Sequence, residues 1–469
     1  MQIKDSNPGP DDDGKKLKRC ILIVASFAAF LTPFLSSSVN LALPAIGKEL
    51  HANAISMGWV ISSFILSAAM FLLPFGRLGD IAGRKKIFLT GIVLYTISTL
   101  LIIFSHSIIS LIVLRVFQGF SSAMIFGTSL ALITSVFQPG ERGRAMGINL
   151  TATYFGLSAG PVIGGLLTHY LGWRSIFAIL VPFGLISIYL IITRIPSEWA
   201  EAKGEKFDWK GSSLYGLALF GFMYGFSKLP GKPGWICLIS GIFLAVLFLF
   251  FEDRSRSPVF DVRLILRNRV LAFSGLAALI NYSATNAIGF FLSLYLQYIK
   301  GFDARTAGLI MISQPLAMVL LSPIAGKLSD IKNPGIIASV GMGITAAGLI
   351  LFCFITAATP VYLIIMLQLL MGIGFGFFSS PNSNAIMSSV ENRYLGIASG
   401  IVGTMRMIGQ MMSMGIALML ISLYIGKQTI SPTNHPLMLA AMKTGFIVFS
   451  ALSVLGVFAS LARNKKPVN

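Results

Sequence analysis

The sequence predicts an all-α integral membrane protein with 14 transmembrane helices: two six-helix, pseudo-symmetric bundles with two extra helices between them. Three observations carry that prediction. Of the 469 residues, 55% are hydrophobic and 11% charged, with a mean hydropathy of +0.81, whereas a soluble domain carries about 25% charged residues. Apolar runs long enough to cross about 30 Å of hydrocarbon as helices recur along almost the whole length. The two halves also repeat: Gly76-Arg-Leu-Gly-Asp80 returns as Gly326-Lys-Leu-Ser-Asp330, 250 residues later, and Gly119, Gly147 and Gly156 return as Gly372, Gly400 and Gly409, each 253 later.

The spans fall at about 20–44, 57–76, 87–104, 109–136, 145–169, 174–194, 211–228, 234–251, 270–297, 306–327, 335–356, 361–388, 395–424 and 441–462. They divide the chain into a polar N-terminal tail (1–19), a first bundle (20–194), a linker (195–210), the inserted pair (211–251), a basic linker (252–269), a second bundle (270–462) and a short tail (463–469). In the basic linker Val259, Phe260, Val262, Leu264, Ile265 and Leu266 alternate with Asp261, Arg263, Arg267 and Arg269. That pattern suits either a short helix on the headgroup surface or an unordered basic segment. Of the 36 Lys and Arg residues, 26 fall on one side, 8 on the other and 2 within spans. The positive-inside rule therefore places both termini in the cytoplasm; the expected location is the cell membrane. The rule also accounts for the net charge of +19 without a nucleic-acid partner. Cys20, Cys237 and Cys353 form no disulfide framework and no metal spacing. No motif of an enzyme or cofactor site is present; neither cofactor nor metal is expected.

The most polar short loop, residues 76–86, reads GRLGDIAGRKK between spans 2 and 3. Its glycines Gly76, Gly79 and Gly83 let helix ends approach closely. Asp80 can accept from backbone N–H groups at a helix start, and the expected partner is the start of span 13 near Leu395. Arg84, Lys85 and Lys86 complete the loop. The spacing G-x-L-x-D-x-x-G-R-K-K closely resembles the signature loop of the major facilitator superfamily. Span 5 carries Gly156, Gly160, Pro161, Gly164 and Gly165 in GLSAGPVIGG. Small residues along one face let a neighbouring helix pack on backbone, and the proline bends the span. This stretch resembles the motif of antiporters in that superfamily. Span 4, with Arg115, Gln118 and Gly119 in LIVLRVFQGF, and Val39–Ile46 of span 1 are similar to its fourteen-span drug:proton antiporter branch. Trp173, Arg174, Phe177 and Val181-Pro182 are similar too.

The resemblance implies alternating access around a midplane cavity, and export of amphipathic, drug-like compounds in exchange for protons. It gives Arg115 a role in proton coupling and substrate handling. The residues alone leave Arg115 two options. It lies about six residues, or roughly 9 Å, from the outer end of its span, so it either snorkels to that interface or faces a cavity. One departure weakens the proton reading: Leu35 stands where many relatives carry an aspartate, and none of the 17 acids falls deep in a span. His51, His106, His169 and His435 lie at or beyond outer ends. The polar groups that do fall within spans are candidates to line the cavity: Ser37, Asn40, Gln118, Tyr282, Asn286, Gln314, Arg406 and Gln410. Arg406, roughly 16 Å deep, is the costliest to bury. The deep charges are thus positive, which leaves open a uniporter or an exporter of neutral or anionic molecules. A non-transporting sensor or scaffold is the reading from another class. The protein is expected to be a monomer in the lipid bilayer.

Overall fold

The computed structural model describes residues 10–255, 259–260, 262–390, 395–426 and 428–463. The described residues form helices and short connections, with no strand among them. The first bundle comprises α1 (Pro10–Glu49), α2 (Ala54–Ala82), α3 (Arg84–Ile103), α4 (Ile108–Val136), α5 (Pro139–Leu171), α6 (Ser175–Ala178) and α7 (Leu180–Arg194). The inserted pair is α8 (Trp209–Lys228) and α9 (Lys232–Arg254), followed by the short α10 (Val262–Arg267). The second bundle comprises α11 (Arg269–Leu294), which runs on as a π-helical turn (Tyr295–Ile299), α12 (Ala304–Met311), α13 (Ser313–Ile331), α14 (Pro334–Phe352), α15 (Val361–Met387), α16 (Leu395–Tyr424) and α17 (His435–Ala462).

Two spans are broken, each just before a proline. α6 passes to α7 at Ile179, three residues ahead of Pro182, and α12 passes to α13 at Ile312, three ahead of Pro315. A proline lacks the N–H that would continue the ladder. Within the expected tail at 1–19, α1 is already helical from Pro10 onward. Lysine and arginine are good helix formers, so the end of an apolar run is not the end of a helix. Of the basic linker, residues 256–258 and Asp261 lie outside the described residues; the part seen includes one short helix, α10.

Among the described residues, thirteen helices are long and apolar enough to cross a membrane. The expected count was fourteen, and the difference is α8. At 20 residues it has the length to span about 30 Å. Its four glycines, three serines and terminal lysines (Lys210, Lys228) lower its hydropathy. α8 lies against α9, α2 and α16, whereas α9 is peripheral, with Ile236 and Phe243 about two-thirds exposed.

The repeat read from the sequence is also a repeat of packing. α1 packs on α5 as α11 packs on α16; α2 packs on α4 as α13 on α15; α3 packs on α4 as α14 on α15. The paired glycines sit at matching crossings. Gly119 of α4 lies on the Phe64 carbonyl of α2, and Gly372 of α15 on the Gln314 carbonyl of α13. Gly156 of α5 lies on the Phe30 carbonyl of α1, and Gly409 of α16 on the Leu279 carbonyl of α11. At each crossing a methyl group would collide with backbone, which cannot turn aside as a side chain can.

Candidate functional site

The loop at 76–86 is the last turn of α2, Gly83, and the first turn of α3. Gly83 has φ +117°, and a Cβ there would overlap the Glu198 carboxylate. That carboxylate accepts from the Lys85 and Lys86 amides at 2.8 and 3.1 Å, an anion seated on a helix N-terminus. The linker clasps the loop elsewhere as well. Arg84 binds Asp80 at 2.8 Å, Ser135 at 2.6 Å and Glu201 at 2.7 Å, and Arg77 pairs with Glu205. The Arg84 amide donates to the Trp199 carbonyl and the Ala202 amide to the Asp80 carbonyl. Gly76 approaches the Gly127 backbone. The expected dock for Asp80 is preceded by residues 391–394, which lie outside the described residues; the ion-pair partner seen for its carboxylate is Arg84.

The α5 glycines serve two seams, not one. Gly156, Gly160 and Gly164 lie four apart and face α1, against Phe30, Phe34 with Ser37, and Ser38 respectively; Ser38 Oγ donates to the Gly160 carbonyl at 3.0 Å. Pro161 and Gly165 face α12 of the other bundle. The Pro161 carbonyl meets Gly308, and a Cβ on Gly165 would lie 2.6 Å from the Ala304 carbonyl. Around that crossing the bundles are sealed at the end remote from residues 76–86. Ser293 Oγ donates to the Asn40 carbonyl at 2.5 Å and Gln297 Nε2 to the Leu41 carbonyl at 3.0 Å. His169 Nδ1 lies 3.2 Å from Asp303 Oδ2, and Arg305 Nη1 donates to Tyr170 Oη at 2.9 Å. Asp303 also caps α12 by accepting from the Thr306 amide at 2.8 Å. Thr306, and after it His169 and Arg305, hold its carboxyl below the usual range. Ser37 and Asn40 therefore sit in helix seams: Ser37 Oγ donates back to the Pro33 carbonyl at 3.0 Å, and Asn40 Oδ1 is buried without a partner.

Arg115 neither snorkels nor reaches the space between bundles. It is 1% exposed. Its Nε donates to the Val60 carbonyl at 3.0 Å and its Nη1 to Gln118 Oε1 at 2.6 Å, while Gln118 Nε2 donates to Thr99 at 2.7 Å. The Phe64 ring lies 4.4 Å from the guanidinium carbon. This network ties α2, α3 and α4 within the first bundle.

Arg406 is placed differently. It lies near the middle of α16, half-buried, with its guanidinium carbon 6.0 Å from the Phe126 ring of α4, in the opposite bundle. Its Nε is buried with no hydrogen-bond partner. Around it stand Tyr154 of α5, within electrostatic reach of both Arg406 and Tyr282, and Ser379 of α15, which accepts from Tyr154 Oη at 3.2 Å. Tyr282 packs edge-on against Phe375, centroids 5.4 Å apart. Asn286 Nδ2 lies 3.5 Å from the Gln410 carbonyl one turn beyond Arg406. Gln314 is half-buried on α13, where its carbonyl meets Gly372. Apart from Gln314, the second residue of α13, these groups lie in the middle part of their helices, and no carboxylate stands among them. The sequence reading missed Tyr154, Ser379, Phe126 and Phe375. A signal was available for Tyr154, two residues before the glycine stripe of α5; none marked which phenylalanines face inward.

A family model described as Major Facilitator Superfamily matches residues 25–414 and 274–468. The chain is 30% identical over 395 residues to the riboflavin transporter RibZ of Clostridioides difficile, covering 83% of this chain and 85% of that protein. It is 32% identical over 410 residues to the uncharacterized transporter YebQ of Escherichia coli, covering 86% and 88%. It is 28% identical to the tetracenomycin C resistance and export protein of Streptomyces glaucescens, covering 83% and 73%. Among solved structures, a variant of the nucleoside transporter NupG superposes with a TM-score of 0.61 at 16% identity, covering 96% of this chain and all of that one. The human organic anion transporter MFSD10 superposes with a TM-score of 0.62 at 14% identity, covering 97% and 100%. Those two likenesses concern the fold.

Proposed function

Because this chain belongs to the Major Facilitator Superfamily, a family of membrane transporters and not of enzymes, we propose that it is a secondary exporter of amphipathic organic compounds in the cell membrane. Its two bundles rock about the Arg406 cluster, with α8 as a fourteenth span and both termini, like the 76–86 loop, on the cytoplasmic side. The observation that carries this reading is the α5 seam. Gly165 and Pro161 meet α12 of the other bundle by close backbone approach, at Ala304 and Gly308, a contact that small residues let part and reseal. The seal lies at the outer end, so a compound enters the Arg406 cluster from the cytoplasm or inner leaflet and leaves when the seal opens. Half-buried Phe126, Phe375 and Tyr282 give an apolar wall for varied compounds.

Exchange for protons is the coupling we assign, on the likeness of the helix-5 glycine pattern to that of antiporters and on relatives named for tetracenomycin C resistance and export and for multidrug resistance. A second reading is favoured by one observation: the mid-depth charge is positive, with no carboxylate to carry a proton. An exported anion would need none, since a membrane potential of 100 mV supplies about 2.3 kcal/mol per charge. Purified protein in liposomes separates the two. Proton exchange predicts uphill movement of the neutral dye phenylnaphthylamine under an imposed pH gradient, abolished by nigericin. Flux indifferent to the pH gradient, yet driven by a valinomycin-set potential for an anionic dye, would remove proton exchange and leave the second reading.

A further inference from the structure

Among the arginines held in the bundles, Arg84, Arg115 and Arg463 are buried and spend their donors on the protein, Arg84 on Asp80, Ser135 and Glu201. Arg115 binds the Val60 carbonyl and Gln118. Arg463 donates to Ser274 at 2.9 Å, Asn382 at 2.7 Å, the Gly335 carbonyl at 2.7 Å and Ser460 at 2.6 Å. Arg406 has no ion pair or hydrogen bond among the described residues, and its recorded neighbour is an aromatic face. A guanidinium near mid-membrane is costly to hold without a partner, and nothing in the packing of α16 replaces one.

We propose that Arg406 is the anion-binding corner of the transport site, and that the compound carried is a flat aromatic body bearing one carboxylate, sulfonate or phosphate group. The proposal rests on the export reading and names the substrate class for that same site. Guanidinium donors form a planar fork that matches such oxyanions. The surrounding groups fit the rest of the molecule: Phe126 faces Arg406 from α4, the Tyr282–Phe375 pair gives a second aromatic surface, and Tyr154 with Ser379 supplies hydroxyls. Phe126 and Tyr154 belong to one bundle and Arg406, Tyr282, Phe375 and Ser379 to the other. A molecule held there touches both moving parts.

Two dyes with the same aromatic body test this. Anilinonaphthalene sulfonate carries the anion and phenylnaphthylamine lacks it. For full-length protein in liposomes, the sulfonate is expected to bind at least about tenfold more tightly than the neutral dye, the worth of a charge-assisted hydrogen bond. Arg406→Gln collapses that preference, Arg406→Lys keeps part of it, and Phe126→Leu weakens both dyes while leaving their ratio. Melting curves and gel filtration of each variant confirm folding, and the lysine variant preserves the test if the glutamine variant fails to fold. Equal binding of the two dyes by the wild type, or a preference that survives Arg406→Gln, overturns the proposal. Export of phenylnaphthylamine without sulfonate preference overturns only the anion corner; no flux of either dye overturns the export reading with it.

Discussion

Arg115 and Arg406 are the same side chain in two electrical settings, and their substitutions should separate on a melting curve. Arg115→Met leaves Gln118 Oε1 without its donor in a site 0% exposed. A buried acceptor left unpaired costs about 1–3 kcal/mol, and the lost guanidinium–Phe64 contact adds about 1–2 kcal/mol. The expected result is a melting temperature several degrees lower in detergent. Arg406→Met removes a charge with no ion pair or hydrogen bond among the described residues and only the 6.0 Å contact with Phe126 to lose, so its melting temperature should hold or rise. The sequence placed both residues in spans and gave their depth, because depth is counted along the chain. It did not give azimuth, since lipid-facing and protein-facing sides of a span are both apolar. The clue that Arg115 is a structural tie was its neighbour three residues on, Gln118, which shares its helix face. Leu35, where an aspartate would have been the natural proton carrier, is 1% exposed in the core of the first bundle.

At the scale of the helix, α5 divides its small residues between its own bundle and the other one. Gly164 faces Ser38 inside its own bundle, so Gly164→Leu should lower expression and stability. Gly308 faces the Pro161 carbonyl across the bundles, so Gly308→Leu should leave each bundle folded and pry the outer seal apart. Spin labels at Lys48 and Lys300 would read that as a lengthened distance; an unchanged distance would show that the seam does not close the gate. Asp303 separates two further roles at the same gate. Asp303→Asn keeps a side-chain acceptor for the Thr306 amide but loses the charge facing His169. The helix start should survive while the label distance shifts toward the open state. The pH sign follows from the same geometry. The carboxyl lies below its ordinary 3.8, so its contribution is present above that value and lost as pH falls through the depressed one. Between pH 5 and 8 Asp303 stays charged, so its contribution to gate closure is constant across that window. The glycine pattern of α5 was legible because a 4-residue spacing marks one face. Its split was not, because assigning positions 161 and 165 to a second partner needs the neighbouring bundle.

At the scale of the molecule, the two halves were legible because a duplicated fold leaves its glycines at the same crossings, and offsets of 250 and 253 residues survive where side chains diverge. The inserted pair has no such counterpart, and its place came only from the structure. α8 touches both bundles. Tyr215 Oη donates to the Ala69 carbonyl of α2 at 3.0 Å, and Phe226, further along α8, packs on Gly415 of α16. α2 and α16 also meet directly where Gly58 lies under Leu418, toward the end remote from residues 76–86. Opening that end moves α2 away from α16, and α8 cannot follow both. It should therefore act as a brace that favours the sealed state. Tyr215→Phe removes one buried hydrogen bond worth about 1 kcal/mol, which shifts a two-state equilibrium about fivefold. If the bond exists only in the sealed state, the variant should populate the open outer end about fivefold more by the same spin labels, with little change in melting temperature. If the bond persists in both states, the distance distribution stays put and only stability falls, which would make α8 a passenger on the first bundle.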